Sequence, residues 1–306
     1  MTLGLLSALV VEILAVVSLL TIVADQVAHT HVEKLGGVNI WGYRGPVLHQ
    51  KRSDEVRIAV AGGDLAFGWG VAASEALAPS IRELVSRKVG RTGQYDRLVT
   101  GVTIAAQGLP PSDYASWIDR FAYLRPDVIC VVADPVGHVL VQSAFLPARH
   151  SRAFRMFGYS PILALVLQEK GTLVRSSLLR VAGDALAAAD SVPAEPDGDH
   201  AAAIVRATDY ASSVGAAVRA GLRAATGGVV IVVSPSSDNR NLKAGIASSF
   251  VGERVRLVHL GDDPRMLAAT LRLDGFSFSA AGHAAAAENI APAVLDLIGF
   301  HEGPPR

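Results

Sequence analysis

The residues of this sequence that are best placed for chemistry are acidic side chains close to glycines. Asp64 ends a Gly-Gly-Asp turn that follows the apolar run 56–61, and Asp274 lies before the last helical stretch. An acyl hydrolase would need a nucleophile, a histidine base and an orienting carboxylate at such a turn, and Asp64 provides neither a hydroxyl nor a thiol. Two carboxyl groups held close together can instead do general acid and base work, because the charge of one raises the pKa of the other. The two aspartates therefore predict either that chemistry or a pair of structural hydrogen-bonding groups.

Histidine residues are weaker candidates. Asp134 and His138 follow the apolar run 128–133, where both are candidates to line a pocket, and His138 is either a base or a polar loop residue. His29 and His31 have no third ligand nearby in the sequence, which favours a polar segment over a metal site. We therefore expect no metal and no cofactor.

Short apolar runs alternate with longer helical stretches from residue 56 onward. This alternation predicts an α/β fold with a parallel central sheet and helices on both faces. The predicted strands are residues 56–61, 97–104, 128–133, 228–234 and 255–260, and the predicted helices are residues 74–89, 111–123, 201–225 and 280–297. The single cysteine, Cys130, lies inside the third run and is predicted to be a small buried hydrophobic residue.

The N-terminus predicts a membrane-spanning helix. The apolar stretch from Leu3 to Val23 has about the 20 residues that a helix needs to cross the hydrocarbon core, and Glu12 is its only ionisable residue. A cleaved signal peptide is the alternative, but no lysine or arginine precedes the stretch, and the stretch is longer than the usual apolar region of such signals. Because a carboxyl group facing lipid is costly, Glu12 predicts a partner helix or a polar cavity, or else a carboxyl that snorkels or is neutral.

Charge excludes some partners. Lys+Arg and Asp+Glu number 28 each, so no net charge of the chain favours a nucleic-acid partner.

The expected organisation is a transmembrane anchor over residues 1–24, a polar stem over 25–50, and one domain over 51–300 with a cap or insertion at about 143–200. The cap carries aromatic residues beside a basic cluster, which predicts contact with anionic headgroups or a solvated rim. That cluster consists of Arg149, His150, Arg152 and Arg155.

Three blocks of the sequence resemble the SGNH (GDSL-type) hydrolase family. The first is residues 39–46 together with the turn 62–71, the second is Gly108, and the third is residues 274–283. Their order and spacing are similar to those of the family over most of the chain. The resemblance implies a flavodoxin-like, three-layer α/β/α SGNH-hydrolase fold.

The sequence departs from the family at the residues that matter most for catalysis. In the resemblance Asp64 stands at the place of the serine nucleophile, Gly108 matches the oxyanion glycine, Asp274 matches the orienting acid, and Ser277 stands at the place of the catalytic histidine. The oxyanion asparagine is also missing from the block that begins at Asp134. Gly63 is a further pocket-lining candidate, and His283 is expected at a helix start with no chemical role.

Three functions remain open from the sequence. Loss of the serine and the histidine predicts a catalytically inactive envelope protein that binds an acylated glycan, a lipid or a protein partner. The resemblance implies that its domain lies outside the cytoplasm, either periplasmic or extracellular. The alternatives are an ester or O-acyl hydrolase or acyltransferase with a non-standard site built on Asp64 and Asp274, and a structural subunit of a membrane assembly that uses Glu12.

Overall fold

The computed structural model of the 306-residue chain describes most of the expected elements. The described residues are 2–36, 38–39, 41–91, 97–106, 108–133, 207–235, 250, 254–273 and 277–300. The predicted cap at about 143–200 lies outside these residues.

The chain begins with one long helix, α1, from Thr2 to Gly36. Its segment Ser7–Val27 has a mean hydropathy of 2.5, and none of the most apolar part of it is buried. By length and composition this segment can cross a membrane, although a signal sequence can have the same length and composition. The helix continues past the predicted anchor boundary at residue 24, so the first part of the predicted stem is helical. The physical reason is that residues 25–35 contain no proline or glycine, and polarity by itself does not end a helix.

A five-stranded parallel sheet forms the centre of the domain. Its strands are β1 (Glu55–Ala61), β2 (Leu98–Thr103), β3 (Val128–Ala133), β4 (Gly228–Val233) and β5 (Val255–His259). The spatial order is β2-β1-β3-β4-β5, and every neighbouring pair is parallel. This is the flavodoxin-like doubly wound order, in which ligands bind beyond the carboxyl ends of the strands where the winding reverses, between β1 and β3. The predicted fold class is confirmed.

Helices cover both faces of the sheet. They are α2 (Asp64–Phe67), α3 (Leu77–Arg91), α4 (Tyr114–Arg120), α5 (Ala207–Ala224) and α6 (Ala280–Leu297), and short 3₁₀ turns lie at Ala73–Glu75, Pro111–Asp113, Ala122–Leu124, Leu260–Asp262, Pro264–Leu267 and Ala269–Leu271. Alternate residues of each strand face opposite layers. Ile58 and Val60 pack with α3 and α6, whereas Ala59 and Ala61 pack with α4 and α5. The three layers follow from this alternation.

The later part of the predicted stem, within residues 38–51, packs onto the domain. Arg44 forms an antiparallel bridge with Thr103 at the end of β2, and Val38 forms another with Arg44. At the opposite end of the sheet, Lys51 binds Asp127 at 2.6 Å. The segment therefore runs down the domain from the carboxyl edge of the sheet to its amino edge.

A buried ion pair lies at the amino edge. Arg57 Nε lies 2.7 Å from Glu55 Oε1, and both side chains are only 4% exposed. The Arg57 guanidinium also donates to the carbonyl oxygens of Leu124, at 2.9 Å, and His49, at 2.7 Å. Thr100 donates its hydroxyl to Glu55 at 2.9 Å. Burial works against a charged Glu55, but its bonds to Arg57 leave the pKa of its carboxyl below the usual value.

Candidate active site

The turn after β1 has room only for glycine at its first position. Gly62 has φ +149°, and a Cβ there would lie 2.8 Å from the Ala66 Cβ and 3.0 Å from the Val132 carbonyl oxygen. Gly63 is buried and precedes α2, the short helix that begins at Asp64. The chain can therefore pass close to β3 and present Asp64 at the carboxyl edge of the sheet.

The structure brings Asp64 and Gly108 together. The Gly108 amide donates a hydrogen bond of 2.8 Å to Asp64 Oδ1. Gly108 has φ 67°, and the amide of Ala106 in the same turn donates to the Gly62 carbonyl at 3.3 Å. The turn after β2 is thus bound to the turn after β1 by both a backbone and a side-chain contact.

This contact determines what the Gly108 amide can do. In an acyl hydrolase the oxyanion donors point at the position that the substrate oxygen takes in the transition state. Here the amide that matches such a donor is already bonded to a side-chain oxygen of the chain itself. A substrate oxygen would have to displace Asp64 Oδ1 to reach it.

Arg44, which lies within the first block at residues 39–46, holds the loop that follows the Asp64 turn. Its buried guanidinium donates to the carbonyl oxygens of Gly68, at 2.9 Å, and Val71, at 2.8 Å, and also to that of Phe67. It lies 4.8 Å from the centroid of the Phe67 ring, a cation–π contact. Burial lowers the pKa of Arg44 to about 10, so it stays protonated at neutral pH. Arg44 therefore fixes the loop that follows α2.

His283 lies on the inner side of the same loop. It is in the first turn of α6, as expected, but it is fully buried, and its ring packs edge-on against Phe278 with centroids 5.6 Å apart. A Cβ at Gly68 would lie 3.4 Å from His283 Nε2 and 3.0 Å from Arg44 Nη1. Burial, together with the Arg44 charge, lowers the pKa of His283 to about 4. The ring is neutral at pH 7, and neither nitrogen has a hydrogen-bond partner among the residues the structure describes.

Of the two positions of the third block that match the family's orienting acid and histidine, only Ser277 is described. It is half-buried, its carbonyl accepts a hydrogen bond of 2.9 Å from the Leu273 amide, and the next residue, Phe278, is buried in the core. Asp274, Asp134 and His138 lie outside the described residues. A carboxylate pair of Asp64 and Asp274 therefore stays a prediction.

The described part of the chain holds neither a reactive thiol nor a metal-binding cluster. Cys130 is buried as predicted, and burial raises the pKa of its thiol to about 12, so the thiol is protonated and unreactive at neutral pH. Within the described ranges, no three or more His, Cys, Asp or Glu side chains form a group that could hold a metal ion.

Comparison with known proteins gives similarity of fold only. No protein-family model matches the chain, and no curated protein matches it. Among solved structures it is similar to a carbohydrate esterase family 3 protein from Talaromyces cellulolyticus, at 13% identity over 81% of this chain and 100% of the other, with a TM-score of 0.38. It is also similar to LAE5, an α/β hydrolase enzyme from the metagenome of Lake Arreo, Spain, at 13% identity over 81% and 97% of the two chains, with a TM-score of 0.41. TesA matches at 13% identity over 79% and 99%, with a TM-score of 0.38. Because these scores are low, the fold assignment rests on the strand order and the two helical layers described above.

Proposed function

We propose that this protein is a membrane-anchored binding protein with an SGNH-hydrolase-like domain that does not hydrolyse esters. The observation that carries the proposal is the 2.8 Å hydrogen bond from the Gly108 amide to Asp64 Oδ1. An acidic side chain stands where the family has its serine, and it occupies the oxyanion donor as well. Both changes oppose acyl transfer at this position.

His283 does not replace the missing base. It lies beside Gly68, but it is buried and its pKa is lowered to about 4. A general base must come within hydrogen-bond reach of a substrate proton, and a fully buried ring does not. Loss of a triad serine or histidine typically costs several orders of magnitude in rate because the triad acts as a unit.

An uncleaved anchor agrees with the continuity of α1. The helix passes the end of the apolar segment at Val27 without a break and ends at Gly36, next to the domain residue Val38. The proposed ligand is an acylated glycan, a lipid or a protein partner that carries such a group, because the resembling family handles acyl groups. The proposed location of the domain is outside the cytoplasm.

Hydrolysis assays on the full-length protein in detergent test the loss of catalysis. The substrates are short-chain p-nitrophenyl esters and an O-acetylated glycan, and the variants are Asp64→Ser, Asp64→Ser/Ser277→His and Asp64→Ala. We expect no turnover by the wild type and a measurable rate only in the double variant, since the Gly108 amide is then free and a hydroxyl and an imidazole are restored. Turnover by the wild type that Asp64→Ala abolishes would replace the proposal with an enzyme that uses the Asp64 carboxyl group.

A calorimetric titration tests binding. The probe is an O-acetylated oligosaccharide, and the matched control is the same oligosaccharide after chemical deacetylation. Binding of the acetylated form alone supports recognition of the acyl group. Equal binding of both forms, or of neither, excludes an acylated glycan and leaves lipid or protein as the partner.

A further inference from the structure

The end of the membrane helix is tied to the edge of the sheet that carries Asp64. One residue separates Gly36, the last residue of α1, from Val38, which pairs with Arg44. Two residues of extended chain span at most about 7 Å. Arg44 in turn pairs with Thr103 at the carboxyl end of β2, so the carboxyl edge of the sheet lies beside the end of α1.

Asp25 is buried close to the end of the apolar segment of α1. Asp25 is 4% exposed, whereas Val23 and Val27 on the same helix are 52% and 65% exposed. A helix standing alone would leave all three side chains exposed. Asp25 lies in the last turn of the Ser7–Val27 segment, at the level where the hydrocarbon core meets the headgroups.

Three large apolar side chains are exposed at this edge, and we call them the apolar rim: Trp41, Trp69 and Leu273. They are 38%, 50% and 51% exposed, respectively. Trp41 lies in the turn whose ends are joined by the hydrogen bond from the Asn39 amide to the Tyr43 carbonyl, directly before Arg44.

Arg44 connects the members of the rim. Its guanidinium binds the carbonyl oxygens of Gly68 and Val71, which flank Trp69 in the sequence. Leu273 reaches the same loop, because a Cβ at Gly70 would lie 2.7 Å from its Cδ1. The rim is thus one connected surface on the loop that begins at the Asp64 turn.

Tryptophan is enriched where a membrane meets water, because its ring is apolar over most of its surface and its N–H finds a polar partner there. Residues 28–36 extend α1 by about 13 Å beyond its apolar segment, and the headgroup layer on one side of a bilayer is about 5–7 Å thick. Gly36 therefore lies about 6–8 Å beyond the headgroups when α1 is upright, and a tilt of up to about 40° shortens this gap by about 3 Å, so the edge of the sheet attached at Gly36 has to span the remainder.

We propose that the apolar rim lies against the headgroup layer of the membrane that holds α1, so that the Asp64–Gly108 site is presented to ligands carried by the membrane. This inference rests on the proposed membrane anchor and adds to it the orientation of the domain. It makes the lipid surface the partner of the rim and names a membrane-borne acyl group, rather than a free soluble one, as the class of ligand.

Depth-dependent fluorescence quenching of the full-length protein in liposomes tests the orientation. The quenchers are lipids brominated near the top of the acyl chain. The chain has three tryptophans, and the third, Trp117, is buried in the core between α4 and α5, where it serves as an internal control. The proteins compared are the wild type, Trp41→Phe, Trp69→Phe and Trp41→Phe/Trp69→Phe, which keeps Trp117 alone. No core residue is changed.

We expect the fluorescence from the rim tryptophans to fall by about twofold or more in brominated lipid, as for rings at headgroup level. The double variant should be unaffected by the bromines, and each single variant should lose part of the effect. Resistance to extraction by alkaline carbonate reports separately whether α1 is inserted.

An inserted protein whose quenching matches that of the double variant would overturn the orientation and leave the anchor in place. The orientation would also be wrong if aqueous acrylamide quenched the rim tryptophans as strongly in liposomes as in detergent. A protein extracted by carbonate would overturn both the anchor and the orientation.

Discussion

The backbone amide of Gly108 donates its hydrogen bond to Oδ1 of Asp64 at 2.8 Å, so the turn after β2 is bonded to the turn after β1. Under the proposed function, the Asp64 oxygen takes the place at the Gly108 amide that the oxygen of a reacting ester would otherwise have. Hydrogen bonds to carboxyl groups are among the stronger ones in proteins. The departure at residue 64 therefore does more than remove a nucleophile, because it also stabilises the two turns against each other.

Replacing Asp64 with alanine is expected to destabilise the protein. The Gly108 amide then loses its acceptor in a half-buried site, which costs about 1–3 kcal/mol, whereas Asp64→Asn keeps an oxygen in place and should cost less. Urea unfolding followed by Trp117 fluorescence in the Trp41→Phe/Trp69→Phe background measures the difference. Glu83→Ala is the control, because Glu83 forms only an exposed pair with Arg87 at 3.5 Å. Equal stability of Asp64→Ala and the wild type would mean that the bond contributes nothing.

Arg44 is expected to be more important for stability than any exposed arginine. Arg44→Met leaves three loop carbonyl oxygens without their donor, and the loss should be about 3 kcal/mol or more. Arg44→Lys keeps the charge but cannot reproduce the planar set of N–H donors of a guanidinium, so we expect it to restore less than half of the lost stability. The same unfolding assay applies, with the exposed Arg87→Met as the matched control. If Arg44→Lys were as stable as the wild type, charge alone would explain the role of Arg44.

The sheet was predictable because its signal is local. Buried parallel strands appear as unbroken apolar runs, and β3 was predicted with the bounds that the structure has, as was α6. The predicted helix 111–123 is instead a 3₁₀ turn, the helix α4 and a second 3₁₀ turn, which ends at Arg125 in a left-handed conformation with φ 52°. The cause is visible in the sequence as Pro126, because a proline disfavours the α-helical conformation of the residue before it.

The site was predictable only in part. The resemblance placed Asp64 and Gly108 after neighbouring strands, but a hydrogen bond between them depends on loop geometry that no periodicity encodes. Arg44 was missed because its partners are backbone carbonyls, which leave no mark in the sequence. The Glu55–Arg57 pair, by contrast, has a signal in the sequence. Residues two apart on a strand share a face, and these two side chains carry opposite charges.

His283 is expected to make stability depend on pH. Its pKa is about 4 in the folded protein and 6.5 in the unfolded chain, so between these values the unfolded state binds a proton that the folded state does not. Stability should therefore fall as pH drops from 6.5 to 4, by about 3 kcal/mol in all from this residue. His283→Gln should remove this part of the slope.

Urea unfolding of the wild type and His283→Gln at several pH values between 4 and 7.5 measures the slope. Slopes are compared rather than absolute stabilities, because glutamine fills the site differently. His259→Gln is the control, since His259 lies on β5 and bonds Asp262 at 2.9 Å, away from Arg44. Parallel curves for the wild type and His283→Gln would show that His283 does not resist protonation in the folded state.

The buried Glu55–Arg57 pair should show strong coupling in a double-mutant cycle. Arg57→Met leaves Glu55 buried without its cation, which typically costs about 3–5 kcal/mol, and Glu55→Gln leaves Arg57 without its anion. The double variant Glu55→Gln/Arg57→Met removes both charges and should be more stable than the sum of the single losses predicts. It should still be less stable than the wild type, because Arg57 also binds the carbonyl oxygens of Leu124 and His49. Additive losses would mean that the carbonyl contacts, and not the ion pair, account for the burial of Arg57.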